Sequence, residues 1–318
     1  MKKILILIFL TGIIFPVKLY SQSCCGGSFY DIAVLSLDKK ALFNIGYNYE
    51  TFQGNWDSKG KWNNISYTSY QIRPLLASAY RFNKNFQAGV SIPFVFNRNE
   101  LPGLASPNGS SVGDISVSGR YEIFHEYQRS VINQRSQTDS KTPYLALTTG
   151  LIFPTGKSDE SATTEADITG KGYFTASLGL SALKSIVQNK FQIAFDFNYQ
   201  HNFSKTYTKY YNVEQLPYKM KLGDRFNYAL SLNYLVNVRH ALSVSFSGFR
   251  QGAYTINELE GSNSNEHGIS FMGSYTYYPM PVFRVTPSFK WFLPNDNFAK
   301  NTTGSYLLAV NLVYYLEY

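Results

Sequence analysis

The chain has 318 residues, of which 17% are aromatic, with 26 Tyr and 24 Phe, and only 16% are charged, for a formal net charge of +8. A mean hydropathy of −0.21, together with the lack of any apolar run reaching the roughly 20 residues a spanning helix needs, excludes a helical membrane protein. The basic excess is spread along the chain with no Lys/Arg cluster, which excludes a nucleic-acid-binding footprint.

Lys2 and Lys3 precede an apolar run from Ile4 to Phe15 and a polar stretch from Lys18 to Ser23. This is the n-region, h-region and processing zone of a secretory signal peptide, with cleavage expected after Ser21. Residues 1–21 are therefore read as the signal peptide, 22–39 as a periplasmic segment and 40–318 as the barrel. Cys24 and Cys25 open the mature chain. Adjacent cysteines pair poorly with each other, and an oxidising compartment leaves few idle thiols. A thiol site, a soft-metal or redox role, a mixed disulfide and lipidation of Cys24 all stay open. No metal or cofactor is assigned.

From residue 40 onward the hydrophobic pattern has a period of two, the signature of strands with one apolar face. Phe43, Ile45, Tyr47 and Tyr49 alternate with Asn44, Gly46, Asn48 and Glu50. Weaker alternation follows near 64–82, then Phe86 to Phe96 against Asn85, Gln87, Gly89 and Ser91. Next come Ile115, Val117, Tyr121 and Ile123 against Asp114, Ser116, Ser118, Arg120 and Glu122. Segments near 142–153 and 172–182 lead to Phe191–Tyr199 against Gln192, Asp196, Asn198 and Gln200, and then to Phe226–Tyr234. After weaker segments near 240–252 and 268–278, Phe283, Val285, Phe289 and Trp291 oppose Arg284, Thr286, Ser288 and Lys290. The last segment alternates from Tyr306 through Leu308, Val310, Leu312, Tyr314 and Leu316 to Tyr318.

Tight turns at 83–85, 237–240 and 279–281 alternate with longer polar stretches near 53–63, 97–111, 154–171, 202–221, 253–267 and 294–303. Short and long connections alternating in this way match an all-β, transmembrane, antiparallel up-and-down barrel. About twelve strands are expected. The polar stretch 125–141 falls where a short turn belongs, so ten or fourteen strands are also compatible.

The chain ending resembles the C-terminal signal recognised by the assembly machinery of Gram-negative outer-membrane barrels. That resemblance implies Tyr314, Leu316 and Tyr318 as the assembly signal, the assembly machinery and outer-membrane lipid as partners, and both termini in the periplasm. A second resemblance rests on Val112-Gly113-Asp114-Ile115-Ser116-Val117 and, some forty residues on, Gly150-Leu151-Ile152-Phe153-Pro154-Thr155-Gly156. This pairing, over roughly residues 110–180, is similar to the family described as "putative MetA-pathway of phenol degradation". It implies an outer-membrane barrel associated with passage of small, often hydrophobic molecules. Each motif also has a purely structural reading: Pro154-Thr155-Gly156 can end a strand, and Gly113 can serve a bulge or close backbone approach.

On the inward faces the pattern places Glu50, Arg73, Asp114, Arg120, Glu122, Asp196, Arg225, Arg284 and Lys290 as candidate lumen-lining residues. Such charges either line a wet pathway or brace the interior by pairing. Arg73, Arg120 and Arg284 against Glu50, Glu122 and Asp196 are the residues to test, their pairing being set by a barrel register that the sequence does not give. His125, His201, His240 and His267 lie at strand ends or in connections with no recognisable nucleophile motif, so no enzyme is expected. Asp159, Glu160, Glu165 and Asp167 lack the ligand spacing of a known calcium loop and read as a solvated loop. The expectation is a passive channel for small-molecule solutes. A closed structural or adhesive barrel presenting its loops or Cys24-Cys25 to a partner is the alternative.

Overall fold

In a computed structural model the protein is described over residues 35, 39–100, 107–123, 130–132, 135–137, 143–187, 190–210 and 213–317. The expected signal peptide, Cys24, Cys25, His125 and Tyr318 lie outside the described residues.

Twelve strands carry the fold: β1 (Lys39–Trp56), β2 (Thr68–Arg81), β3 (Phe86–Glu100), β4 (Ile115–Glu122), β5 (Tyr144–Phe153) and β6 (Thr175–Val187), then β7 (Phe191–Asn202), β8 (Arg225–Asn237), β9 (His240–Gln251), β10 (Glu266–Met280), β11 (Phe283–Trp291) and β12 (Thr302–Glu317). Each pairs antiparallel with its neighbours in sequence, and β1 pairs with both β2 and β12, so the sheet closes without an edge. The β1–β12 seam runs from Lys39 opposite Glu317 to Trp56 opposite Thr302, and the Lys39 ammonium donates to the Glu317 carboxylate at its end. Closure gives each of the twelve strands a neighbour on both sides, the arrangement that an environment without water demands.

The distribution of side chains is inverted relative to a soluble protein. Phe43, Ile45 and Leu178 are 53%, 58% and 57% exposed, whereas Arg81, Gln71 and Glu122 are at most 2% exposed. Alternation therefore puts aromatic and aliphatic residues on a continuous outer band and Asn, Gln, Ser, Arg and Glu inside. An apolar band of this extent is a lipid-contacting surface.

Short connections gather at one end of the barrel, the turn end, and long ones at the other, the loop end. The turn expected at 279–281 is displaced. Strand β10 continues through Met280, and Pro281 and Val282 form the two-residue turn into β11. A proline without an N–H is tolerated at that corner, where no ladder bond is asked of it. The long turn-end stretch 125–141 contains a small hairpin, Ser130–Ile132 against Arg135–Gln137, so the count stays at twelve. At the loop end, 202–221 is more ordered than a polar loop. Lys205–Tyr210 and Val213–Lys221 pair as a hairpin, which joins Thr255–Ile256 and Leu259–Glu260 in a second, four-stranded sheet. Stacking of Tyr207 on Tyr218 across that hairpin, centroids 5.4 Å apart, supplies the cross-strand contact that holds such a ribbon.

Candidate functional site

The interior carries a different chemistry at each level. At the turn end, β2, β3 and β4 place Arg81, Gln87 and Glu122 on neighbouring inward positions. Arg81 grips Glu122 bidentately, with Nη1 and Nη2 each 2.9 Å from a carboxylate oxygen. Gln87 Nε2 donates to the same carboxylate at 2.9 Å. The two charges have 1% and 2% of their side-chain surface exposed. This node also holds Leu35: Arg81 Nη2 donates to the Leu35 carbonyl at 2.6 Å, and the Leu35 N–H donates to Gln87 Oε1 at 2.8 Å. The Leu35 side chain packs with Leu42, Ala79, Val313 and Tyr315 in a small apolar cluster. The turn-end interior is thus filled by an ion pair, an amide and a leucine.

Midway along the barrel, Arg73 Nη2 donates to Glu50 Oε2 at 2.6 Å, and Ser305 Oγ donates to Glu50 Oε1 at 2.6 Å. On the opposite wall the Ser181 hydroxyl donates to Asp196. Four inward cations lie against aromatic rings. Arg120 is 5.2 Å from the Tyr144 centroid, Arg225 3.7 Å from Phe249, Arg284 5.6 Å from Tyr315 and Lys290 5.2 Å from Phe292. Arg120 Nε also donates to the Tyr144 hydroxyl at 3.1 Å, and Arg225 Nε to Asn227 Oδ1 at 2.9 Å. Aromatic faces hold cations in place while leaving their charge intact.

Among the six charges singled out for testing, the barrel register brings Arg73 to Glu50. Glu122 takes Arg81 as its partner, Arg120 turns to Tyr144, and Asp196 takes Ser181. Arg81 was legible in principle, since it shares the inward parity of Gln71 and Arg73 along β2. Nothing in the sequence signalled that Leu35 would be drawn into the node.

At the loop end the two sequence motifs meet. Asp114, the residue before β4, accepts the Gly156 N–H at 3.0 Å and the Lys171 N–H at 2.6 Å. Thr155 Oγ1 donates to the Gly113 carbonyl at 2.8 Å and accepts the Ile115 N–H at 2.9 Å. Thr169 Oγ1 donates to Val112 O at 3.0 Å. Residues 154–171 are thereby clamped at both ends onto one carboxylate and folded over the inner face of β3. There Asn97 Nδ2 donates to the carbonyls of Ala166 and Ile168 at 2.9 and 2.7 Å. Gly156 and Gly170 permit the crossing: a Cβ on either would lie 2.6 Å from the Cα of the other. Burial pushes the Asp114 carboxyl above the ordinary range, and the Lys171 and Gly156 N–H groups pull it back. The motif residue placed among the lumen-lining candidates thus acts on the loop that lies over the inner face of β3.

That loop is also tied to the 205–221 hairpin. Lys205 Nζ lies 2.8 Å from Glu160 Oε2, and the Thr208 N–H donates to Glu160 Oε1 at 3.1 Å. The Lys205 hydrogen bond holds the Glu160 carboxyl below its usual value, with the Thr208 N–H adding to it and partial burial opposing. A depressed carboxylate contributes its stabilisation above its unfolded pKa and loses it as pH falls through the folded one. Protease cleavage within 157–171 is therefore expected to be unchanged from pH 8 to about 5 and to rise below about 4.5. The Glu160→Gln variant should show the acid-level rate at every pH.

A cavity of about 490 Å³ opens at this end. Strand β4 reaches only Phe86–Ser91 of the longer β3, and residues 108–112 cover Phe94–Arg98 in its place. The cavity lining combines Tyr70, Ile72 and Phe96 from outward positions with Asn97 from an inward one and with Lys157 and Asp167 from the clamped loop. Lipid-side residues and the clamped loop meet in it.

The family described as "Putative MetA-pathway of phenol degradation" matches residues 43–308. Among solved structures, the chain is similar to the COG4313 outer membrane channel from Pseudomonas putida F1, with 12% identity, a TM-score of 0.69, and coverage of 92% of this chain and 100% of that one. It is more distantly similar to the translocator domain of the autotransporter NalP from Neisseria meningitidis, with 9% identity, a TM-score of 0.46, and 89% and 90% coverage. A Pseudomonas aeruginosa FadL homologue aligns at 7% identity and a TM-score of 0.40, over 86% and 90% of the two chains. No curated protein sequence matches the chain. At these identities the structural likeness is one of fold, that of outer-membrane barrels.

Proposed function

This chain belongs to the family described as "Putative MetA-pathway of phenol degradation", and on that premise we propose that it is a passive outer-membrane channel or facilitator for small molecules, hydrophobic ones included. The loop-end cavity carries this reading, because it brings apolar outward residues and the polar Lys157 and Asp167 of the clamped loop around one space. A solute with an aromatic body and a polar edge can exchange lipid contacts for those of Tyr70, Ile72 and Phe96 while its polar edge meets Lys157 of the clamped loop. In this reading the long loops face the exterior, both termini face the periplasm, and the barrel reaches the membrane through the assembly machinery.

The interior beyond the cavity suits slow, selective passage better than bulk flow. Glu50, Glu122 and Asp196 are engaged with Arg73, Arg81, Ser181 and Ser305, while Arg120 and Arg284 lie over rings. The test is uptake into liposomes bearing the purified barrel, measured for a small phenolic solute and for a sugar of similar size. Ile72→Trp is expected to slow the phenolic solute several-fold and leave the sugar unchanged. Equal slowing of both would place the route along the barrel axis. No flux of either would remove the channel reading and leave a closed barrel.

A second reading, a closed adhesive barrel, draws on the filled turn end and on the exposed Val213, Leu216 and Leu259 of the loop-end sheet, which are 67%, 89% and 76% exposed. It requires a barrel that is folded but silent in the same liposomes.

A further inference from the structure

Arg250, His267 and Lys300 occupy adjoining positions on the outer surface of the barrel, at the loop-end edge of its apolar band. Arg250 stands directly opposite His267 in the β9–β10 ladder and opposite Phe226 in the β8–β9 ladder. His267 and Lys300 exchange backbone hydrogen bonds in both directions, at 2.9 and 3.3 Å. Below them the outward positions of the same strands are Val244, Phe246 and Phe271, all exposed, so the basic groups begin where the lipid-facing band ends. Directly opposed residues hold their Cβ atoms about 5 Å apart, and basic groups so placed repel one another.

Local acids do not relieve this crowding. None of the ion pairs among the described residues includes Arg250, His267 or Lys300. Glu266, next to His267, lies opposite Gln251 on the inward face. Among the described residues, the polar side-chain contact of the group is Lys300 Nζ donating to Asn265 Oδ1 at 2.8 Å. Long basic side chains at such a border extend their heads toward the headgroup layer while their stems cover apolar surface, and the phosphates of a membrane leaflet attract them.

We propose that Arg250, His267 and Lys300 form a binding site for the phosphate group of a membrane lipid, held against the outer wall of the barrel with its acyl chains along Val244, Phe246 and Phe271. The phosphate supplies the counter-charge the protein does not, and chain contact with the apolar band distinguishes a lipid from a free anion. The site faces away from the lumen, so it orders lipid around the loop end and takes no part in solute passage.

The test is binding of dodecyl phosphate to the purified full-length barrel in an uncharged detergent, with dodecyl glucoside and inorganic phosphate as comparison ligands. Dodecyl phosphate is expected to bind at least about tenfold more tightly than either comparison ligand. The Arg250→Gln/Lys300→Gln double variant should lose that preference, and Arg250→Lys should keep most of it. Heat-modifiable migration on gels shows that each variant is folded, and the single Lys300→Gln variant, altered only in a loop, serves if the double variant does not fold. Inorganic phosphate binding as tightly as dodecyl phosphate would overturn the lipid assignment. Undiminished preference in the folded variants would overturn the site.

Discussion

Arg81→Ala is expected to destabilise the barrel by about 3–5 kcal/mol, the cost of leaving a buried partner charge without its mate. Glu122 would keep only the Gln87 amide, 2.9 Å away, among the donors it now has from Arg81 and Gln87. Its two hydrogen bonds from the guanidinium would be lost where almost no solvent reaches. The midpoint of urea unfolding in detergent, followed by loss of heat-modifiable migration, measures the effect. Because a buried pair is costly to desolvate in the first place, replacing both partners by apolar residues should recover much of the loss. Arg81→Met with Glu122→Met is thus expected to be more stable than either single variant. If instead the double variant falls by the sum of the two singles, the residues are not acting as a pair.

The same substitution has a consequence for passage. Arg81 supplies the donor to the Leu35 carbonyl, and the Leu35 side chain fills the space between Leu42, Ala79, Val313 and Tyr315. Ion conductance through single barrels in a planar bilayer is expected to rise in the Met/Met variant, which keeps stability but drops the Leu35 hydrogen bond. Conductance equal to that of the parent would show that the turn end does not limit the pathway.

Asp114→Ala is expected to release residues 154–171 from the inner face of β3 while leaving the barrel folded. The carboxylate receives two backbone N–H bonds, and hydrogen bonds to a charged acceptor contribute about 1.5–3 kcal/mol each. Limited proteolysis within the loop should accelerate by at least an order of magnitude, with the urea midpoint of the barrel almost unmoved. Gly170→Val tests the clamp while keeping the acid in the sequence, since a Cβ at that position would lie 2.3 Å from Asp114 Oδ1 and push it out of place. Both variants should give the same protected barrel core and the same cut loop. Loss of the whole barrel in both would instead make the Asp114 region part of the wall's stability. Because burial raises the Asp114 pKa, its ionised form is penalised at neutral pH, and that penalty fades as pH falls from the raised value toward the ordinary one. Acid therefore relieves Asp114 while it weakens the Glu160–Lys205 tie, so loop release at low pH should originate at Glu160.

The alternation of Phe43, Ile45, Tyr47 and Tyr49 with Asn44, Gly46, Asn48 and Glu50, repeated along the chain, determined by itself that this protein is a barrel with a lipid-facing exterior and a polar interior. A period of two assigns each residue to a face without knowledge of which strand lies beside it. The alternation of short and long connections likewise determined the up-and-down order and a count near twelve. Only the tertiary structure decided which inward charges meet. Partner choice depends on stagger between strands, and one step along β4 separates a Glu122 that faces Arg81 from an Arg120 that faces Tyr144. The resemblance marked Asp114, Pro154, Thr155 and Gly156 as a set, yet their joint task as a clamp required two segments some forty residues apart to be brought to one rim. The seating of Leu35 against Arg81 and Gln87 was beyond any periodic reading, because a single residue outside the strands carries no pattern and finds its place only where a closed barrel offers a hydrogen-bonding pocket of matching depth.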